Sequence, residues 1–150
     1  GTYPAMLAPI VNDGAVVSLH RTYLCEGHKA PVPQPKKLTP ASGRLMGGSI
    51  PLAERWSGTL GIAEGIETAA AANLGSGIPV MAAYCANALA QYCWPKGTRR
   101  LVIFADNDDA GKEAACKLVA RASKFGLETK ILFPDIAGQD WADVWQEAQS

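Results

Sequence analysis

Apolar and polar positions follow two different rhythms along this chain. Ala5 to Ile10 and Ala15 to Tyr23 are extended, apolar and β-branched runs separated by Asn12-Asp13-Gly14. An Asp-Gly connection accepts the positive φ of a tight turn, so the pair predicts a hairpin. PVPQPKKLTP follows at residues 31–40, and its four prolines exclude helix and central strand. It reads as an extended loop carrying Lys36 and Lys37, after which Arg44 to Leu52 can return as a short strand.

From Leu60 the rhythm becomes regular alternation of strand and helix. Leu60 to Ala63 reads as a buried strand and Ile66 to Leu74 as an alanine-rich helix closed by Gly75. Pro79 to Ala83 is a second strand and Asn87 to Tyr92 a short helix. Leu101 to Phe104 has no polar residue, as a strand covered on both faces requires. Ala110 to Phe125 predicts the longest helix, with Asp108 or Asp109 as cap and Gly111, Ala115, Leu118, Ala122 and Phe125 as its apolar stripe. Gly126 ends it, and Arg121 and Lys124 in the last turn oppose the dipole. Thr129 to Phe133 and a helix from about Trp141 complete the series. Such alternation means βαβ units with right-handed crossovers, hence an α/β class with a parallel sheet.

Composition narrows the picture only a little. With 150 residues, 48% hydrophobic and 19% charged, the chain suits one ordinary domain or one domain with an appendage. Apolar runs fall short of the roughly 18 residues of a membrane span, and no basic-then-apolar signal peptide opens the chain, so a cytoplasmic protein is expected. Cys25, Cys85, Cys93 and Cys116 contain no C-x-x-C pair and are expected to be reduced and structural. The zero net charge divides unevenly. Residues 1–52 carry five Lys/Arg against two acids, and residues 53–150 carry nine against twelve. A basic first part and an acidic second part suit a polyanion and a set of cations respectively.

In open parallel sheets, ligands lie beyond the carboxyl ends of the strands, and those ends are acidic here. Glu64 ends the first strand, with Glu67 one turn later; Asp106, Asp108 and Asp109 follow the third; Asp140 and Asp143 follow the fourth. Crowded carboxylates repel and raise one another's pKa unless a cation joins them. Hard oxygen ligands without His or Cys select Mg²⁺ or Mn²⁺. Alternate residues leaving a strand point the same way, so Asp106 and Asp108 can meet one metal while Asn107 turns aside and Gly111 lets the backbone come close. A plainer reading makes Asp108 and Asp109 helix caps. Glu64, between an apolar strand and Gly65, has no such explanation.

The set GIAEGIETA (61–69), VMAAYCANAL (80–89), RRLVIFADNDDAGKEAA (99–115) and GQDWADV (138–144) resembles the Toprim domain of primases encoded by phages, plasmids and mobile elements. YPAMLAPIV, SLHRTYL and RLMGG upstream resemble the basic, nucleic-acid-facing stretch that precedes Toprim in those primases. The resemblance implies a Rossmann-like Toprim fold over residues 58–150: a central, mainly parallel four-stranded sheet flanked by helices. A small β-rich subdomain over 1–57 would precede it. It implies Glu64 as general acid/base in nucleotidyl transfer, Asp106 and Asp108 as Mg²⁺ ligands, and Asp140 as a further ligand, with Asp143 a weaker match. Glu67 and Asp109 join Asp143 as supporting groups around the metal. The pattern is broken at Thr68, where replicative primases carry a second acid. Arg21, Lys36, Lys37 and Arg44 would face template or nucleotide phosphates. Single-stranded DNA, NTPs and a replicative helicase in cis or in trans are the implied partners.

Three functions compete on this reading. The first is primer synthesis by a Toprim primase module. Another is strand cleavage by a related nuclease or topoisomerase, though Tyr3, Tyr23, Tyr84 and Tyr92 lie in no separate nucleophile domain. The last is a nucleotide- or DNA-binding fragment without activity. A haloacid-dehalogenase phosphatase would want its D-x-D after the first strand. His20 and His28 are not at ligand spacing. Trp56, Trp94, Trp141 and Trp145 can stack on bases, but packing explains them better.

Overall fold

The computed structural model describes residues 1–54 and 57–150, and Trp56 therefore lies outside the described residues. β1 (Ala5–Asn12) and β2 (Ala15–Cys25) form the expected hairpin. Asp13 and Gly14 both take positive φ at its turn, 52° and 78°. β3 (His28–Lys29) then pairs back on the end of β2. The proline-rich segment is not loop throughout. Lys36–Leu38 forms β4, antiparallel to β2 with Lys37 opposite Arg21. Lys36–Leu38 lies between Pro35 and Pro40 and contains no proline itself, so its N–H groups are free to pair along the edge of the sheet.

The second part is a parallel sheet in the order β6-β5-β7-β8. Its strands are β5 (Thr59–Ala63), β6 (Val80–Ala82), β7 (Arg100–Phe104) and β8 (Glu128–Leu132). The intervening helices are α1 (Ile66–Ser76), α2 (Ala86–Ala90) and α3 (Asp109–Lys124), with α4 (Trp141–Gln149) after β8. This is the expected α/β architecture, and the β-rich first part is also as expected. Among the described residues, no helix is long and apolar enough to cross a membrane.

Most element ends shift by one or two residues, and two differences have a physical reason. α1 runs through Gly75 and stops at Gly77, whose φ of 71° suits a left-handed cap. Gly75 faces the Trp145 ring, where an added Cβ would stand 3.7 Å away in ordinary contact, so it lies at the packing of α1 against α4. On α3 the buried stripe is Gly111, Ala114, Ala115, Leu118 and Ala122, while Phe125 is 73% exposed. Phe125 lies past the last turn and meets Trp94 edge-on at 5.8 Å. Trp94 carries Arg121 over its ring at 5.2 Å, and Trp141 meets Phe104 edge-on at 6.0 Å, so both pack as expected. All four cysteines are free, and Cys85 caps α2 through its sulfur.

The two parts share a core. Ala8, Ile10, Val17 and Ile50 cluster with Ala63, Ala69, Ala72, Val80, Val102 and Phe104. Arg44 to Leu52 does not return as a strand. Instead Ser49 makes a single bridge to Val11, and Ile50 exchanges two backbone hydrogen bonds, of 2.7 and 3.0 Å, with Ala82 of β6.

Candidate metal centre at the strand ends

β5 and β7 lie side by side in register, Ala63 opposite Phe104, so Glu64 and Asp106 leave the sheet at neighbouring points. Both are partly buried. Asp106 is the most perturbed acid of the site. Burial first, then the charge and contact of Glu64, then Asp140 and Asp108, push its carboxyl up to about 7. Its Oδ1 is shut off from solvent with no hydrogen-bond partner. An orphan carboxylate oxygen in a field of negative charge is a position a cation would satisfy.

The other acids combine structural duties with this crowding. Asp108 caps α3, accepting the Gly111 N–H at 2.7 Å through Oδ1, and the exposed Asp109 opens that helix. Asp140 and Asp143 form a reciprocal capping box at the start of α4, with bonds of 2.8 and 3.0 Å. Each cap occupies one carboxylate oxygen and leaves the other over. Asn107 does more than turn aside. Its amide donates to the Pro134 carbonyl at 2.7 Å, its N–H to Gln139 O at 2.9 Å, and its own carbonyl accepts from Gly138. These bonds tie the loop that carries Asp140 to the end of β7.

Among the described residues, no three acidic, His or Cys side chains converge tightly enough to make a finished metal shell. The donor set nevertheless fits Mg²⁺ or Mn²⁺. Such ions take one or two carboxylates and complete their octahedra with water and substrate phosphates.

Glu67 points elsewhere. Lys29 and Lys36 reach its carboxylate at 3.2 and 3.5 Å. Burial alone would raise its pKa, but Lys36, its own backbone N–H and Lys29 outweigh that and hold it low. Its link is thus to the first part of the chain; Lys29 gave no sequence signal, because nothing in the spacing announces a cross-subdomain ion pair. All three side chains are about half exposed, so Glu67→Ala is expected to cost under about 1 kcal/mol in a urea unfolding curve, shrinking further in salt. Buried His20 stands nearby; burial, then Lys36, lower its pKa against the opposing pull of Glu67. Thr68, at the break in the acidic pattern, is buried.

The basic residues separate by face. Adjacent positions on β4 point oppositely, so Lys36 turns to Glu67 while Lys37 lies over Tyr23, 5.9 Å from its ring centre, beside Arg21. Arg44 lines a cleft of about 770 Å³ between the hairpin turn and residues 92–96, to which none of the rim acids contributes.

The comparisons with known proteins concern the family and the fold. Residues 59–150 match the family model described as "Toprim domain", so the chain belongs to the Toprim family. Residues 1–52 match a model described as "Domain of unknown function (DUF7146)". No curated protein matches the sequence. Among solved structures, a DNA primase domain from Pseudomonas aeruginosa is 14% identical with a TM-score of 0.65, over 95% of this chain and 47% of that one. The primase fragment of the bacteriophage T7 primase-helicase is 14% identical with a TM-score of 0.67, over 97% and 59%. The RNA polymerase domain of Mycobacterium tuberculosis primase, in complex with double-stranded DNA, is 16% identical with a TM-score of 0.60, over 95% and 49%. The fold is therefore that of primase cores, and the chain spans about half the length of the solved chains it resembles.

Proposed function

We propose that this chain is the Toprim module of a DNA primase, acting in nucleotidyl transfer for RNA primer synthesis on single-stranded DNA in the cytoplasm. The observation that carries this reading is Asp106, whose buried, partnerless oxygen is crowded by Glu64, Asp108 and Asp140 at the strand ends of a Toprim fold. Residues 58–150 form the catalytic part, and residues 1–57 the basic part facing nucleic acid.

Asp106, Asp108 and Asp140 are the residues that would hold Mg²⁺ or Mn²⁺. When bound there, such an ion would supply positive charge against the triphosphate and the leaving pyrophosphate. Glu64 is the group that takes the proton from a primer 3′-hydroxyl as its oxygen bonds to the α-phosphorus and the bond to pyrophosphate breaks. Asp109 and Asp143 keep the α3 and α4 starts in place around the site. Arg21, Lys37 and Arg44 contact template or nucleotide phosphates. Lys36 stands with them in this reading, through an ammonium shared with Glu67. A replicative helicase, in cis or in trans, would supply the single strand.

The test is a Mg²⁺ titration followed by NMR amide shifts, on the wild type and on Asp106→Ala with Asp108→Ala, repeated with NTP present. Shifts clustered at Glu64, Asp106 to Gly111 and Asp140, and lost in the double variant, are expected. Primer synthesis on a single-stranded template follows, with strand cleavage as the outcome that would reassign the chemistry. Absence of localised shifts with NTP present sinks the metal site.

A further inference from the structure

The proline-rich segment and Tyr23 have no part in the chemistry at the acid rim, yet they build a cavity. It measures about 500 Å³ and is lined by Tyr3, Tyr23, Val32, Pro33, Gln34 and Lys37, together with the first two residues. It adjoins the β2–β4 face that carries Lys37, Arg21 and Tyr23, the face opposite the one that turns Lys36 to Glu67.

Three features make it more than a surface dent. The first is an aromatic side chain on a main chain held from both sides: the backbone N–H of Tyr23 donates to Pro35 O and its carbonyl accepts from Ala30 N–H, both at 2.8 Å. The Leu24 N–H pins the chain beside Tyr3 by donating to Pro4 O at 2.8 Å. Second, Pro33 has no backbone N–H and a locked φ, so the wall offers apolar surface at little ordering cost. Third, the charge at its mouth is uncompensated. Among the described residues, neither Lys37 nor Arg21 pairs with an acid, and Arg21 Nε is shut off from solvent without a partner. Aromatic rings beside unneutralised cations match a ligand with a flat ring and a phosphate, repeated along a flexible strand.

We propose that this cavity seats an unpaired base of single-stranded DNA on Tyr23 and Tyr3, with the flanking phosphates on Lys37 and Arg21. It is a holding site for the strand outside the acid rim. The inference rests on the reading of the β2–β4 face as a nucleic-acid surface and adds a base-stacking pocket to it. Gln34 supplies the one side-chain amide in the lining, enough to orient a base edge without selecting a sequence.

The test is fluorescence anisotropy of a labelled oligothymidylate and of an abasic strand of equal length, titrated with the 150-residue chain at several salt concentrations. Tyr23→Ala should weaken oligothymidylate binding about tenfold, leave its salt dependence unchanged and leave the abasic strand unaffected. Tyr23→Phe should bind like the wild type. Lys37→Ala should weaken both strands and flatten the logarithmic salt slope by about 0.7. Where Tyr23→Ala fails to fold, Tyr3→Ala, which precedes β1, replaces it. The pocket is overturned if the tyrosine variants bind oligothymidylate like the wild type, lose equally on both strands, or bind duplex of the same length with the same loss. If Lys37→Ala and Arg21→Ala still weaken binding in those cases, the basic face stands without the pocket; if they are silent too, both readings fall together.

Discussion

Asp106→Asn is expected to make the protein more stable in EDTA at pH 8 and less stable than the wild type in Mg²⁺. The reason lies in the order of pKa values. Unfolded, Asp106 ionises near its ordinary value of 3.8; folded, it keeps its proton until about pH 7. Below both values the carboxyl is neutral in either state and costs nothing. As pH rises from about 4 to about 7, the unfolded chain ionises while the folded one still holds the proton, so stability falls across that window and levels off above it. Allowing for solvent screening at a partly exposed, coupled site, the cost at pH 8 is about 2 kcal/mol. Asparagine keeps the shape and never ionises, so it recovers that amount at pH 8 and almost nothing at pH 4. Metal reverses the ranking. At a free concentration a hundred times its dissociation constant, a ligand that binds only the folded state adds about 2.7 kcal/mol, which the asparagine variant should forfeit. Denaturant unfolding at pH 4 and 8, each with EDTA and, at pH 8, with Mg²⁺, checks all three statements. A variant less stable than the wild type at pH 8 in EDTA would show that the carboxylates do not repel as argued.

Gly111→Ala should damage the same site without touching a carboxylate. A Cβ at Gly111 would stand 2.5 Å from the Asp106 carbonyl oxygen and 3.0 Å from Asp108 Oδ1. The first of these is backbone and has nowhere to swing, so α3 or the end of β7 must shift. Alanine gains up to about 1 kcal/mol in helix propensity, less in a first turn. Overpacking of this kind costs about 1–3 kcal/mol, and weakening of the Asp108 cap adds about 1 kcal/mol. A net loss of about 2 kcal/mol is therefore expected, with a weaker Mg²⁺-induced rise in thermal midpoint. A midpoint at or above that of the wild type would refute the close approach.

The parallel sheet was legible because each strand of 58–150 is short, apolar and followed by a helix with its own stop signal, and this grammar depends on local residues alone. Leu101 to Phe104 and the Asp108 cap could be read from neighbours in sequence. What escaped was set by contacts distant in sequence. The edge position of Lys36–Leu38 depends on its pairing with β2. Glu67 looked like part of the acid rim by spacing, yet its carboxylate meets two lysines more than thirty positions upstream. Asn107 was read only as the residue between two acids, whereas its three bonds to the 134–139 loop bring Asp140 toward Asp106.

The pairing of Ile50 with Ala82 bears on how this fold stays apart from its own copies. A sheet ordered β6-β5-β7-β8 has two open flanks, each a row of unsatisfied amides inviting another strand. On the β8 flank, Glu128 and Lys130 put charge in the way. β6 is Val80-Met81-Ala82, wholly buried and without a charge to repel a newcomer. Ile50, itself 1% exposed, takes up that flank through its two hydrogen bonds, so the first part of the chain acts as a guard rail against intermolecular strand addition.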